Sequence, residues 1–458
     1  MTTPEAIETS QNTGQPGSDG QPMSVAPVKR GRSWLPALPP TSKMAMIGYS
    51  FADQAFAVGG GFLANVALAR SQSKEEYGLF ALWYSVFTFL SGLHNAAILQ
   101  PYTVYASGRY RDKFSEYLRL MVRSNAVLSG ALSVVLLACC LVFHWVRPQW
   151  LSPALLGLAI AVGFLLSGIF LRRAFYVQQR PDLAAKTSFA FFVVLLIGLW
   201  LAGRAQKLDS FTVFLMMAAG WIVAGLLFGR KLQFGKPAQH FGEIVPGHWA
   251  EHWNYAKWIL ATAFVFQLTT QGYYWLLGGF LSAREVGELR AMYILVGPVD
   301  QVFIAISYII VPALAAHYAS HRMGSFLSLW RRFTLATILV TSLFALVVRI
   351  TGRWVVHLLY GGKYDDLTPY FFVLGFLPLI SWIGTTMAQA FYGAEKPKFV
   401  FWAYVGSGTA TVCLGIPLVT HFGLWGAVYG MLVSSAAYTV VLAVTFFWTF
   451  HPLRRQPE

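Results

Sequence analysis

The amino-acid sequence predicts an all-α polytopic membrane protein made of two related halves. Composition is the first reason: 56% of the 458 residues are hydrophobic and only 12% charged, too little polar surface to coat a soluble globule of that size. The spacing of the apolar segments is the second. Stretches of about 20 residues, the length that crosses roughly 30 Å of hydrocarbon, begin near Met46, Leu79, Leu120, Leu151, Thr187, Phe211, Trp258, Ala291, Phe333, Phe371, Phe399 and Gly423. They make about twelve helices, six per half. The third reason is a repeat. AFYVQQRP at Ala174–Pro181 returns as AFYGAEKP at Ala390–Pro397, YAS at Tyr105 recurs at Tyr318, and SKEEYGLFAL from Ser73 resembles AREVGELRAM from Ala283, with Lys74 opposite Arg284. The three pairs share nearly one offset, as a parallel duplication of a multi-helix unit would produce.

Taken in order, residues 1–42 read as a disordered cytosolic tail, rich in Thr, Gln, Gly, Ser and Pro and without the apolar run of a signal peptide. Residues 43–229 form the first lobe, 230–257 a cytoplasmic connector, 258–449 the second lobe, and 450–458 a short cytosolic tail. The basic cluster Lys29, Arg30, Arg32 and Lys43 precedes the first helix and keeps the N-terminus inside; an even helix count returns Arg454 and Arg455 to the same face. Most of the 34 Lys and Arg fall in the segments this topology makes cytoplasmic. The net charge of +15 is therefore an orientation signal, with attraction to anionic lipids as a by-product. No basic soluble module is visible, so nucleic acid is not an expected partner. Cys139, Cys140 and Cys413 lie within apolar segments and read as small packing residues.

Two connections are longer than the rest. Gly229 to Lys257 carries His240, His248 and His252, with Trp249, Trp253 and Trp258 at head-group depth; Pro246 and Gly247 interrupt the local helix, so an interfacial connector is a better reading than a metal site. Thr351 to Pro369 contains WVVHLLYGGKYDD, read as a short interfacial helix ending at Gly361 and Gly362. Neither houses a soluble domain. The chain has no glycine loop ending in Lys-Ser or Lys-Thr, no HExxH and no Cys-x-x-Cys, so no catalytic residues, metal site or cofactor are assigned.

Polar side chains inside the bilayer are expensive and generally face a bundle interior or a watery cavity. In the first helix Asp53 precedes the stripe Gln54, Val58, Gly61 and Asn65, and the run Gly59, Gly60, Gly61 removes side-chain bulk. The second helix carries His94 and Asn95. The seventh has Gln267, Gln271, Tyr274 and Gly278 at helical spacing, and the eighth Tyr293, Gly297, Asp300, Gln301 and Tyr308. Asp300 falls about 15 Å along that helix, near the midplane. It is either a satisfied interhelical hydrogen-bond partner or a carboxylate that exchanges a proton or holds a sodium ion. These stripes occupy equivalent positions in the two halves, so a central cavity lined from both is expected. Asp53 and Asp300 are the candidate ion-coupling residues, with H+ or Na+ as the ion.

ANVALARSQSKEEYGLFALWYSV (Ala64–Val86), LLYGGKYDD (Leu358–Asp366), AQAFYGAEKPK and FGLWGAVYGMLVSS (Phe422–Ser435) resemble, in that order, segments of the polysaccharide flippases in the multidrug, oligosaccharidyl-lipid and polysaccharide (MOP) exporter superfamily. The resemblance implies two six-helix lobes rocking around a V-shaped cavity. It implies a flippase that moves a polyprenyl-diphosphate-linked oligosaccharide across a bacterial cytoplasmic membrane for exopolysaccharide or O-antigen assembly, with other polysaccharide-assembly proteins as partners. It also implies cavity cations for the diphosphate. The first, second and seventh helices have none at mid-membrane, which leaves Arg172, Arg173 and Arg290 as the candidates, each also explicable as a topological anchor. The alternatives are a cation-coupled multidrug antiporter of the same superfamily, which Asp53 and Asp300 would suit, a membrane-embedded polysaccharide polymerase or ligase, or a non-transporting scaffold of an export complex.

Overall fold

The computed structural model describes residues 40–107, 110, 113–146, 152–234 and 245–450; both terminal tails of the sequence reading, with Arg454 and Arg455, and His240 of the connector lie outside them. The residues from Met46 onward form one compact unit. In the first half, α1 (Pro40–Ser71) is followed by α2 (Lys74–His94), which passes through a π-turn at Asn95–Leu99 into α3 (Gln100–Ser107). Then come α4 (Phe114–Val146), α5 (Pro153–Val177), α6 (Pro181–Arg204) and α7 (Ser210–Phe228). The second half comprises α8 (Val245–Phe280), α9 (Ala283–Tyr293), α10 (Gly297–Ala319), α11 (Met323–Tyr360), α12 (Thr368–Leu374), α13 (Leu377–Gly393), α14 (Lys398–Ala410), a π-turn at Thr411–Gly415, and α15 (Ile416–Phe450).

Nine helical stretches among the described residues are long and apolar enough to cross a membrane by length and composition. Twelve crossings result once Lys398–Phe450 is divided and α2 with α3, and α8, are added. The division falls at Gly423, whose φ of 58° and ψ of −130° are open to glycine and costly for other residues. Gly426 completes the turn, since a Cβ there would stand 1.9 Å from the Leu418 carbonyl oxygen. The expected interfacial helix before Gly361 is not separate. It is the end of α11, which runs unbroken from Met323 because nothing before the left-handed cap at Gly361 interrupts its hydrogen bonds. Pro246 likewise lies in the first turn of α8, where proline starts a helix more readily than it breaks one.

Each half folds around its own spine. In the first lobe α5 packs on α4 and α7, and α7 on α6, with Phe191 stacked on Trp221 at 4.3 Å between ring centroids. In the second, α13 and α14 pack on α15, and α10 and α11 on α13, with Trp330 against Phe446 at 4.3 Å. The repeated AFY words have a common geometry. Arg180 N–H donates to the Phe175 carbonyl (2.9 Å) and Lys396 N–H to that of Phe391 (2.8 Å). Gln179 and Glu395 take the left-handed conformation at φ 58° and 57°, and Pro181 opens α6 as Pro397 precedes α14. Each word is thus a helix-ending Schellman turn followed by a proline start.

The second repeat sets how the lobes meet. Ser73 caps α2 by accepting from Glu76 N–H at 3.0 Å, and Ser282 caps α9 by accepting from Arg284 N–H at 3.2 Å. These caps put Ser73 opposite Ser282 and Gly78 opposite Gly287, one residue from the register that matches Lys74 with Arg284. The two glycines are where the helices cross. A Cβ on Gly78 would lie 1.6 Å from the Ala283 carbonyl oxygen, and one on Gly287 2.5 Å from that of Lys74. Gly78→Leu is therefore expected to cost at least about 1–3 kcal/mol by overpacking and to lower the thermal unfolding temperature in detergent. Gly279→Leu, at a position with nothing within 4 Å, should leave it unchanged, and equal stability of the two variants would refute the crossing.

Candidate functional site

We call the face carrying Phe450 proximal and the opposite face distal. At the distal face the two lobes are tied by charge. Lys74 donates to Glu288 at 3.0 Å and to Asp366 at 3.2 Å, while Arg284 donates to Glu288 at 3.2 Å and stands 4.0 Å from Glu75. Lys363 Nζ reaches the Ala69 carbonyl at 2.9 Å. Glu288 and Lys74 are nearly enclosed, with 10% and 12% of their side chains exposed, so this pair is screened less than an open surface bridge.

A seam of hydrogen bonds continues from there between α2 and α8. Trp275 Nε1 donates to Ser85 Oγ at 2.9 Å, and Gln267 Nε2 to the Thr88 carbonyl at 3.0 Å. Gly92 makes room for that glutamine, since a Cβ would sit 1.8 Å from its Nε2. Nearest the proximal face, His252 Nε2 lies 2.7 Å from the Ala97 carbonyl oxygen. Pro101 explains this contact: it has no N–H to give the carbonyl four residues earlier, and a histidine from the other lobe supplies one.

On α1, Asn65 is buried, and its side chain joins the lobes. Its Nδ2 donates to the Gly61 carbonyl at 2.8 Å; its Oδ1 accepts from Tyr77 at 3.3 Å and from Arg290 Nε at 3.2 Å. The Arg290 guanidinium lies over the rings of Tyr84 at 4.8 Å and Tyr274 at 5.9 Å. Among the described residues no carboxylate lies within salt-bridge distance of it. Its position in the last turn of α9 sets it near the negative end of that helix. Because Asn65 faces Arg290, the stripe below it on α1 marks the face turned to the other lobe. Along that stripe Gln54 and Val58 are exposed, Gly61 is half-buried and Asn65 is buried, so the cleft between the lobes narrows towards the distal face and Arg290 lies near its apex.

Two carboxylates have opposite surroundings. Asp53 is fully buried in the first lobe and saturated: Arg172 donates through Nε at 2.9 Å and Nη2 at 2.6 Å, Tyr176 at 2.8 Å and Ser188 at 2.5 Å. It binds α1 to α5 and α6, and Arg172, expected as a phosphate contact, is engaged by Asp53. Asp300 lies in the second lobe, in the first turn of α10 just after the break at Ile294–Val296. Helix N-termini favour negative charge. It accepts a hydrogen bond from Trp382 Nε1 at 2.7 Å, and no cation pairs with it among the described residues. Trp382, on α13, supplies an interhelical hydrogen bond to this carboxylate.

The remaining predicted residues divide. Gln271 is half-buried on the seam helix, with Oε1 enclosed and without a partner, and Gln301 is half-buried on α10. Asn95 begins the π-turn. His94 does not face the other lobe as expected: it is buried against α4, with Nε2 2.7 Å from Asn125 Oδ1, and Asn125 donates in turn to Ser167 on α5. Arg173 sits half-buried near the proximal end of α5. Sequence reasoning missed Tyr77, Tyr84, Glu288, Ser188 and Trp382, which read singly as ordinary membrane-helix residues. Only Glu288 carried a signal, as an acid standing where the first copy of the repeat has Leu79.

The chain thus folds as two lobes of six crossings about a cleft. No family model and no curated protein sequence matches the chain, but solved structures do. An inward-facing multidrug resistance MATE family transporter of the MOP superfamily superposes with a TM-score of 0.70 at 9% identity, over 91% of this chain and 99% of that one. A MOP superfamily transporter from Pyrococcus furiosus gives 0.64 at 10%, over 90% and 97%. The lipid II flippase MurJ in an inward closed conformation gives 0.61 at 14%, over 90% and 88%. At these identities the likeness is one of fold.

Asp53→Asn is expected to destabilise the protein by about 3–5 kcal/mol, because it leaves the Arg172 charge buried without its partner. The double variant Asp53→Asn with Arg172→Met should recover a large part of that loss in a thermal-unfolding cycle; strictly additive effects would rule out the pair.

Proposed function

We propose that this protein is a MOP superfamily transporter that moves a polyprenyl-diphosphate-linked oligosaccharide from the inner to the outer leaflet of a bacterial cytoplasmic membrane by alternating access, serving exopolysaccharide or O-antigen assembly. The observation that carries this reading is Arg290. A guanidinium near the apex of the cleft, held by an amide and two aromatic rings and by no carboxylate, keeps its charge available for an anionic group. Planar donors match phosphate oxygens in pairs. A sealed distal face and a cleft that widens towards the proximal face suit a substrate made on the cytoplasmic side, and the likeness to an inward-facing transporter and to a lipid flippase supports the same direction. Opening the distal face requires the Lys74, Glu288 and Arg284 contacts to part, which bound substrate would promote by drawing Arg290 away from Asn65.

Arg290→Ala is expected to abolish complementation of a knockout, with lipid-linked repeat units accumulating on the inner leaflet; Arg290→Lys should retain part of the activity. Continued polymer export by Arg290→Ala would sink the assignment.

Asp300 supports ion coupling. A half-buried carboxylate with no cation beside it among the described residues is the group whose protonation or ion binding most readily changes the energy of the second lobe. Asp300→Asn is expected to slow transport about tenfold or more and to flatten its dependence on pH or sodium. A variant with normal rate and unaltered pH and sodium profiles would remove Asp300 from the cycle. The same carboxylate favours the second reading, a cation-coupled multidrug antiporter, whose cationic substrate would meet Asp300 but be repelled by Arg290. Cationic-drug efflux that persists or rises in Arg290→Ala would favour it.

A further inference from the structure

The two AFY turns, alike in backbone, differ in charge. Gln179, Arg180, Pro181 and Asp182 of the first correspond to Glu395, Lys396, Pro397 and Lys398 of the second. In the first turn Asp182 takes Arg180 in a two-pronged bond, with Nε to Oδ1 at 3.1 Å and Nη2 to Oδ2 at 3.2 Å, and lies 3.9 Å from Lys186. That hydrogen bond raises the Arg180 pKa above its ordinary value. The turn neutralises itself. In the second turn a lysine stands where Asp182 stands, and among the described residues neither Lys396 nor Lys398 has a carboxylate within salt-bridge distance. Their ammonium groups lie instead over the rings of Phe450 at 5.6 Å and Phe399 at 5.4 Å.

A groove of about 720 Å³ lies between this turn and the end of α15, lined by Glu395, Lys396, Pro397, Lys398, Phe399, Trp448 and Thr449. No side chain caps the start of α14; the Phe399 and Val400 N–H groups donate to the Lys396 and Pro397 carbonyls at 3.4 and 3.0 Å, and the positive end of the helix faces the same corner. Beyond the groove, Val440, Val444 and Trp448 follow one another a helical turn apart along α15 and are 58%, 64% and 74% exposed. Two cations and an exposed tryptophan, beside an apolar track, match a charged head group with its acyl chains.

We propose that this groove binds the phosphate of an anionic phospholipid of the proximal leaflet, with Lys396 and Lys398 on the phosphate and an acyl chain along Val440, Val444 and Trp448. The first lobe has lost or never acquired the counterpart, because Asp182 occupies the place of one lysine. The site is separate from the cleft and independent of what the cleft transports.

The test is native mass spectrometry of the full-length protein with phosphatidylglycerol, phosphatidylcholine or inorganic phosphate. Wild type should retain phosphatidylglycerol in preference to phosphatidylcholine. Lys398→Asp, which rebuilds the self-neutralised turn of the first lobe and so is expected to fold, should lower that retention about tenfold. Arg180→Ala should leave it unchanged. Equal retention of the two lipids, or wild-type retention by Lys398→Asp, would overturn the site. Displacement of the lipid by millimolar inorganic phosphate would show that the groove takes a free anion and would overturn the lipid assignment.

Discussion

The rest of the structure depends on the crossing of α2 and α9 at Gly78 and Gly287. Two backbones approach there more closely than any Cβ would allow, and the charges of Lys74, Glu75, Arg284 and Glu288 gather around the contact. Once the lobes are pinned at that end, their remaining freedom is to spread at the other. The burial gradient on α1 from Gln54 to Asn65 follows from this constraint, and so does the placing of Arg290 near the apex. A glycine pair permits close packing without fixing a rotamer, while the surrounding ion pairs supply an attraction that water can replace. That combination suits a contact that is stable and also reversible.

Much of this was legible in the sequence. Helix number followed from apolar length, because a bilayer admits little else. The duplication followed from words that turned out to be turns and caps: AFY with its proline ends one helix and begins the next, and a serine starts α2 and α9 alike. These are local signals, so a linear reading captures them. The register of the second pair needed the structure, since only the caps and the glycine crossing decide between offsets that differ by one residue.

Partnerships across the fold were not legible. Asp53 and Arg172 are 119 positions apart, and nothing in either neighbourhood announces the other. Read alone, Asp53 was a candidate coupling site and Arg172 a phosphate contact; together they are an ion pair that holds α1 to its own lobe. His94 shared a helix with residues of the seam, but the π-turn begins just after it and the side chain turns to Asn125 on α4. Pro101 has no N–H for the Ala97 carbonyl, and His252, 155 positions away, reaches that carbonyl instead. A helix face cannot be assigned to cavity or core until its neighbours are known.

Comparison of the two lobes locates the polar asymmetry. In the capped register Ala81 stands opposite Arg290 and Leu79 opposite Glu288, so at these two positions only the second copy is charged. The first lobe keeps its buried acid saturated by Arg172, Tyr176 and Ser188, and such a group resists change because every alternative leaves a charge unsatisfied. The second lobe divides its eighth crossing into α9 and α10, with a cation before the break and a carboxylate after it that have no ion partner among the described residues. Helix ends stabilise both, the negative end of α9 near Arg290 and the positive end of α10 near Asp300. Neither charge therefore needs a fixed counter-ion, and each can exchange partners at small cost. Both groups lie on one broken helix joined directly to the distal contact.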